Sequence, residues 1–142
     1  MANYQNTDDD LLLFFKTAAS HLHKNGIFIF DSWYGPAVLA DPPCKRTKKF
    51  ENDRFQIVRN GVPKHITKKK FVHVYFTLNI TDKHTGEKST IEETHSMRYL
   101  FTDELEKFIR PNHMALIHRE QWMTGFPPSD KTWYVTYVVK KL

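Results

Sequence analysis

A short apolar segment that ends in an acidic and aromatic cluster constrains the fold of this chain most strongly. Residues 25–35 read Asn-Gly-Ile-Phe-Ile-Phe-Asp-Ser-Trp-Tyr-Gly. The Asn-Gly pair favours a left-handed helix stop, and the four apolar residues after it favour a strand buried on both faces, as parallel strands are. In an open α/β sheet, ligands bind beyond the carboxyl ends of the strands. The acidic and aromatic residues that follow this strand therefore indicate a binding site.

The same segment predicts an incomplete sheet. A helix over Asp8–Lys24 precedes it, with apolar residues on one face and Thr7 placed to cap its first turn. A buried parallel strand needs parallel neighbours, and nothing before residue 7 supplies one. We therefore expect the later part of a larger α/β fold, in which the strand Ile27–Phe30 exposes an apolar edge. Such an edge predicts self-association, as a homodimer that covers it.

Between residues 44 and 101 the pattern becomes that of a half-buried antiparallel sheet. Phe71–Asp82 alternates cleanly, a short loop follows, and the chain returns over 87–101. Shorter strands are predicted at 47–51 and 55–59, with Asn60-Gly61 as a turn. If Asp82 faces Glu87, the register places Glu93 and His95 on the apolar face.

The remaining chain returns to α/β character. The pattern predicts a loop over 34–43, a helix over 102–110, a strand over 114–122 and a strand over 133–140 that lies inside a sheet. We therefore divide the chain into a partial α/β sheet, residues 1–43 and 102–142, and an antiparallel insertion, residues 44–101, for substrate binding or dimerisation.

The positive charge is concentrated in one segment. The net charge of +5 arises from +8 in residues 44–70, against −3 in residues 1–43 and zero in residues 71–142. Such a segment could contact phosphates, but a solvated strand pair whose lysines protect a sheet edge is favoured. Aromatic residues are not interleaved on a recognisable platform, so nucleic acid is not a favoured partner.

Composition excludes several classes of protein. The single Cys44 excludes an internal disulfide and a cysteine-based zinc site, and the eight histidines show no metal-ligand spacing. The polar start lacks a secretory signal, and no apolar run is long enough to span a membrane. A cytoplasmic protein is the default expectation.

In this order and spacing, the motifs resemble the C-terminal half of a class I S-adenosylmethionine-dependent methyltransferase. Residues 21–31 resemble the helix and fifth strand of its seven-stranded, Rossmann-like sheet, and residues 114–140 resemble its closing hairpin. Within the family, small-molecule N-methyltransferases that dimethylate amino sugars are the most similar. They share an acidic residue and paired aromatics after the fifth strand, and an insertion strand that resembles residues 92–101. The likeness covers residues 3–140.

The resemblance implies a small-molecule acceptor, such as a nucleotide-linked amino sugar, and S-adenosylmethionine as the cofactor of the full-length family. The family binds this cofactor with a glycine-rich loop after its first strand, whereas this sequence has five glycines and no Gly-x-Gly. We therefore expect a truncated reading frame whose product alone neither binds S-adenosylmethionine tightly nor turns over.

Six residues are candidates for the site that the resemblance implies. His95 and Glu93 would orient or deprotonate the amine; alternatively they satisfy each other, or a shifted register leaves both in solvent. Trp33 and Tyr34 would wall the acceptor or plug the sheet, and Asp31 would accept a hydrogen bond from the acceptor or cap a turn.

Arg98 is the last candidate, for a substrate phosphate, although a surface ion pair is favoured for it. The alternative to a methyltransferase fragment is a stand-alone, non-enzymatic module for ligand binding or dimerisation that uses the antiparallel sheet.

Overall fold

The structure is a computed structural model that describes residues 2–142. The chain divides into two compact units, which we call unit 1 (up to residue 42 and from residue 97 onward) and unit 2 (residues 43–96). In chain order the elements are α1 (Asp8–Ser20), β1 (Ile27–Trp33), α2 (Gly35–Ala40), β2 (Arg46–Glu51), β3 (Phe55–Ile66), β4 (Phe71–Asp82), β5 (Lys88–Arg98), α3 (Thr102–Ile109), β6 (Met114–Gln121) and β7 (Tyr134–Lys141).

Helix α1 begins where its sequence predicts. The Thr7 hydroxyl accepts from the Asp10 N–H at 3.1 Å, and the Asp10 carboxylate accepts from the Thr7 N–H at 3.0 Å, so a reciprocal capping box satisfies both amides. The helix buries Leu11, Phe15 and Ala19, which recur every fourth residue. It ends at Ser20, four residues before the predicted end.

The sheet of unit 1 has the order β1-β7-β6, and every strand pair in it is antiparallel. The prediction of a buried parallel strand at β1 is therefore wrong for the described residues. β1 pairs with β7 alone, and its outward side chains Ile27 and Ile29 are 44% and 62% exposed. The predicted position of β7 inside a sheet is confirmed, because β7 has a strand on each side.

One face of this sheet packs against α1 and α3 to form the core. Phe30 of β1 lies opposite Tyr137 of β7, with their rings stacked 5.2 Å apart. Phe15 of α1 meets Phe30 edge-on at 5.3 Å. The other core residues include Leu11, Leu100, Leu105, Ile109, Met114, Val135 and Val139. All of them belong to unit 1.

Helix α2 was not expected, because residues 34–43 contain three prolines. Pro36 lies in the first turn of α2, where a missing N–H costs no hydrogen bond and the fixed φ suits a helix. The cap is Tyr34, whose carbonyl accepts from the Val38 N–H at 3.0 Å. Proline content alone therefore gave the wrong prediction here.

Unit 2 is a single antiparallel sheet with the order β2-β3-β4-β5. The predicted turn at Asn60-Gly61 is wrong, since β3 runs through both residues. Gly61 lies opposite Phe76 of β4, and a Cβ there would be 2.8 Å from the Phe76 ring. The glycine therefore permits a close approach across the ladder rather than a turn.

Three contacts between β4 and β5 agree with the predicted register of this hairpin. The Asp82 N–H donates to the Glu87 carbonyl at 2.9 Å. Farther along the strands, the Thr90 hydroxyl donates to the Asn79 side chain at 3.1 Å, and His73 Nδ1 lies 2.8 Å from Ser96 Oγ. Since His73 and Ser96 share a face, the alternate residues of both strands share the other face.

Asp82 gives the hairpin a dependence on pH. The Arg54 guanidinium donates to its carboxylate at 2.9 Å and, with the His84 N–H, holds the pKa of Asp82 below its ordinary value. Because the pKa is lower in the folded state, the ionised Asp82 carboxylate stabilises the fold fully at pH values above about 3.9, the ordinary pKa of an aspartate. This stabilisation is lost as the pH falls through the folded-state pKa. We expect Asp82→Asn to lower the melting temperature at pH 7 and to lower it progressively less as the pH falls below about 3.9.

Circular dichroism melts between pH 3 and pH 7 measure this difference, with the exposed Asp53→Asn as the matched control. A melting temperature of Asp82→Asn that equals that of the native chain at pH 7 would refute this role.

None of the helices formed by residues 2–142 has the length and apolar character that crossing a bilayer requires.

Candidate functional site

The carboxyl end of β1 brings three of the candidate residues together in unit 1. Asp31 and Trp33 project to the face of the sheet opposite the core, and Tyr34 follows directly and packs partly against the core. The Trp33 ring meets Trp133 edge-on at a centroid distance of 5.3 Å. An acidic side chain and an edge-on pair of aromatic rings therefore lie at one end of one strand.

Asn3 fixes this strand end, a role that was not predicted from the sequence. Its side-chain oxygen accepts from the Trp33 N–H at 3.2 Å, and its amide donates to the Arg98 carbonyl at 2.6 Å. The Trp33 carbonyl accepts from the Leu100 N–H at 3.0 Å. The backbone at the aromatic cluster is thus held from two directions, which limits its movement.

Two further polar residues share the row of Asp31 across the sheet. Asp31 lies opposite Thr136 of β7, which in turn lies opposite Glu120 of β6. Glu120 is held by His118, whose Nε2 is 3.2 Å from its carboxylate. Thr136 and Glu120 were not among the predicted site residues, although the charged run at residues 118–120 was a visible signal.

Two buried polar atoms beside this cluster lack hydrogen-bond partners within residues 2–142. They are the hydroxyl oxygen of Thr136, opposite Asp31, and the indole nitrogen of Trp133, against Trp33. Buried polar groups without partners are rare, and a binding site is one of the places where they occur. Both atoms are enclosed by protein, so a ligand would reach them only if the side chains around them moved.

His95 and Glu93 form a pair in unit 2, as the predicted register allows. His95 Nε2 lies 3.2 Å from the Glu93 carboxylate, and the His95 ring meets Phe76 edge-on at 5.4 Å. Their side chains are 33% and 51% exposed, so the predicted apolar face leaves both of them partly open to solvent. Both strands belong to a single sheet layer, and unit 2 supplies no helix of more than one turn to cover them.

Arg98 is an ion-pair residue, but it is buried rather than at the surface. Its side chain is 7% exposed, and one guanidinium nitrogen donates to Asp8 at 2.8 Å and to Glu104 at 2.5 Å. The ring of Phe108 lies 6.0 Å from the guanidinium carbon. Burial conflicts with the predicted contact to a substrate phosphate; instead Arg98 joins the end of β5 to the first turns of α1 and α3.

The glycines do not fit a cofactor loop. A Cβ at Gly26, Gly35 or Gly61 would meet Leu22, Phe101 or Phe76 of the same chain, so their open sides are already filled. The other two, at residues 86 and 125, have positive φ and lie in turns. The chain therefore presents no glycine cradle for S-adenosylmethionine.

An apolar groove lies beside β1 on the core side. Its volume is about 410 Å³, and it is lined by Leu13, Phe14 and Ala18 of α1 and by Phe28 of β1, with Gln5, Asp10 and Thr17 at its polar margin. It contains none of the six candidate residues. In the chain from residue 2 onward, no three His, Cys, Asp or Glu side chains are grouped so that they could hold a metal ion.

No protein-family model matches this sequence, and no curated protein matches it. Solved structures do. An S-adenosylmethionine-dependent methyltransferase from Clostridium acetobutylicum aligns with 99% of this chain at a TM-score of 0.76 and 21% identity. An amino pentose methyltransferase from Micromonospora echinaspora aligns with 99% of this chain at a TM-score of 0.73 and 10% identity. A sugar N-methyltransferase from a Streptoalloteichus species aligns with 96% of this chain at a TM-score of 0.72 and 13% identity.

The chain covers 54%, 54% and 51% of these three proteins, so it spans about half the length of the structures it matches. At these identities the likeness concerns the fold. This chain has a mixed α/β fold with antiparallel sheets that corresponds to about half of an S-adenosylmethionine-dependent methyltransferase.

Proposed function

We propose that this chain is the acceptor-binding part of an S-adenosylmethionine-dependent methyltransferase that acts on a small-molecule amine, such as a nucleotide-linked amino sugar. The observation that carries this proposal is the cluster at the carboxyl end of β1. There, Asp31 and Trp33 lie beside the unpartnered polar atoms of Thr136 and Trp133. The likeness to sugar and amino pentose methyltransferases supports the choice of acceptor.

The residues of this cluster suit an amine-bearing sugar. The Asp31 carboxylate can accept hydrogen bonds from an amine or a hydroxyl, and charge assistance strengthens such bonds when the amine is protonated. The faces of Trp33 and Tyr34 can pack against the sugar ring, and an aromatic face also attracts a cation.

Within unit 2, the His95–Glu93 pair is a candidate proton acceptor, and it is proposed independently of the cluster in unit 1. Methyl transfer requires a neutral amine, because a protonated amine has no lone pair to attack with. With its Nε2 held by the Glu93 carboxylate, the His95 ring would accept that proton at Nδ1. Arg98 has no part in this proposal, because its guanidinium is buried between two carboxylates.

Activity would require a second part that supplies the cofactor. β1 has no strand on its second side within residues 2–142, and the groove along α1 lies beside that edge. A partner that adds a strand at β1 and an apolar surface in the groove would complete the sheet. Without it, the open edge favours self-association of the chain.

The role of the cluster is tested by ligand binding. We expect Trp33→Ala to raise the dissociation constant for a nucleotide-linked amino sugar about tenfold, through loss of the aromatic wall. Titration followed by nuclear magnetic resonance measures the constant. Trp122→Ala is the matched control, because Trp122 is 55% exposed and lies outside the cluster. Equal binding by Trp33→Ala and the native chain would contradict the assignment.

A further inference from the structure

The turn between β6 and β7 exposes the two most accessible large apolar side chains of residues 2–142. Met123 is 72% exposed and Phe126 is 69% exposed, and Trp122 beside them is 55% exposed. We call residues 121–129 the hairpin tip. Single exposed apolar residues are common on protein surfaces, but a group of large ones in one turn indicates a binding surface.

The hairpin tip carries no charge of its own. Residues 121–129 read Gln-Trp-Met-Thr-Gly-Phe-Pro-Pro-Ser. Charged side chains begin only at its ends, where Glu120 precedes it and Asp130 and Lys131 follow it. The tip can therefore leave water without moving a charge into a medium of low dielectric constant, which would be costly.

The backbone of the hairpin tip forms its hydrogen bonds within the chain. The Gln121 N–H donates to the Phe126 carbonyl at 2.7 Å, and the Thr124 N–H donates to the Gln121 carbonyl at 3.0 Å. The Phe126 N–H donates to the Thr124 hydroxyl at 3.2 Å. Pro127 and Pro128 have no N–H to satisfy. Because lipid offers amides no partners, a segment that satisfies its own amides can enter lipid at a low cost.

An unusual backbone conformation presents Met123 to solvent. Its φ of 56° lies in the left-handed region, which bulky residues rarely adopt. Such a conformation persists only where the surrounding structure fixes it, and it is concentrated at sites that contact ligands. The exposure of Met123 is therefore a feature of a hydrogen-bonded turn and not of a frayed one.

We propose that the hairpin tip inserts into the headgroup region of an anionic lipid bilayer and so attaches the chain to a membrane surface. Met123 and Phe126 would bury their apolar surface at the acyl boundary. Trp122 combines an apolar ring with an N–H, which suits the headgroup level. The net charge of +5 adds attraction to anionic headgroups. A protein partner that pairs with a strand edge would instead need free backbone groups, and the tip has few.

The hairpin tip leaves the sheet at the end where the proposed acceptor cluster lies. β6 ends at Gln121, which pairs with Val135, and β7 begins at Tyr134, which pairs with Trp33. Attachment through the tip would therefore hold the cluster close to the membrane surface. This consequence rests on the proposed function, whereas the attachment itself does not.

Co-sedimentation of the full chain with vesicles of equimolar phosphatidylcholine and phosphatidylglycerol tests the attachment. The native chain should bind, and its tryptophan fluorescence should shift to shorter wavelength as Trp122 leaves water. Phe126→Asp should lower the partition coefficient at least about tenfold, because a charge in the tip opposes insertion. Leu13→Asp is the matched control, since Leu13 is 61% exposed on α1 and the change in net charge is the same. It should stay within about threefold of the native value. Melting temperatures show that both variants fold.

Salt separates insertion from surface attraction alone. In about 0.5 M NaCl the native chain should remain partly bound, because apolar burial is not screened, whereas binding through the basic residues 44–70 alone would be lost. A native chain that stays in the supernatant, binding that salt abolishes, or equal losses for Phe126→Asp and Leu13→Asp would overturn the proposal. So would a fluorescence shift that persists in Trp122→Phe, or a tip that a second copy of the chain covers in sedimentation equilibrium, shown by dissociation in Phe126→Asp. Neither acceptor nor cofactor enters these measurements, so failure here would leave the proposed function intact.

Discussion

Replacing Arg98 with methionine is expected to lower the free energy of unfolding of unit 1 by about 3–5 kcal/mol. Arg98 is 7% exposed and Glu104 is 12% exposed, so the substitution leaves the Glu104 carboxylate buried without its cation. Asp8 is 75% exposed, so its carboxylate is hydrated when Arg98 is removed and contributes little to the loss in free energy of unfolding. Most of the expected loss therefore comes from Glu104.

Tryptophan fluorescence in urea measures this loss specifically, because all three tryptophans lie in unit 1. Arg110→Met is the matched control: Arg110 also pairs with a glutamate, Glu106 at 2.7 Å, but it is 78% exposed. That control should change the free energy of unfolding by about 0.5 kcal/mol or less. A loss below about 1 kcal/mol for Arg98→Met would contradict the assigned role.

A double variant separates the ion pair from the packing of the Arg98 stem. Adding Glu104→Gln to Arg98→Met removes the uncompensated charge, so the double variant should be more stable than Arg98→Met alone. If the second substitution adds a further loss instead, contact of the Arg98 stem with Phe108 rather than the charge would explain the effect.

Local sequence signals predicted the elements whose geometry depends on near neighbours. The capping box at Thr7 and Asp10 fixed the start of α1, and the alternation over Phe71–Asp82 gave the bounds of β4. The apolar residues on both faces of the last strand correctly placed β7 inside a sheet. In each of these cases the residues within a few positions contain the deciding interaction.

The wrong predictions concern contacts between distant segments. Asn60-Gly61 is a common turn pair, but the ring of Phe76 across the ladder needs the space that Gly61 leaves. β1 has the composition of an inner parallel strand, yet its only strand neighbour within residues 2–142 is the antiparallel β7. The residue composition of a strand indicates what its faces can pack against, but it does not indicate which strands lie beside it.

Part of the cluster at the end of β1 could be predicted from neighbouring residues in the sequence, and the rest depends on the tertiary fold. Asp31, Trp33 and Tyr34 follow one strand, so their proximity could be read from the sequence. Asn3 and Thr136 join them only through the tertiary fold. The burial of Arg98 could not be inferred either, since its partners Asp8 and Glu104 come from two helices at different points of the chain.

The lack of a cofactor cradle has the largest expected consequence for ligand binding. None of the glycines is placed to let the backbone approach S-adenosylmethionine, whereas Asp31 and Trp33 are half-buried on the face of the sheet opposite the core, where we propose that the acceptor binds. We therefore expect this chain to bind the acceptor and not the cofactor. The two ligands should differ in affinity by at least about a hundredfold, which corresponds to about 2.7 kcal/mol.

Isothermal titration calorimetry with both ligands on one sample of the full chain tests the account most directly. A nucleotide-linked amino sugar should give a saturable heat of binding, and S-adenosylmethionine should give none at millimolar concentration. Binding of S-adenosylmethionine with a micromolar dissociation constant would contradict the claim that the cofactor-binding part lies outside this chain.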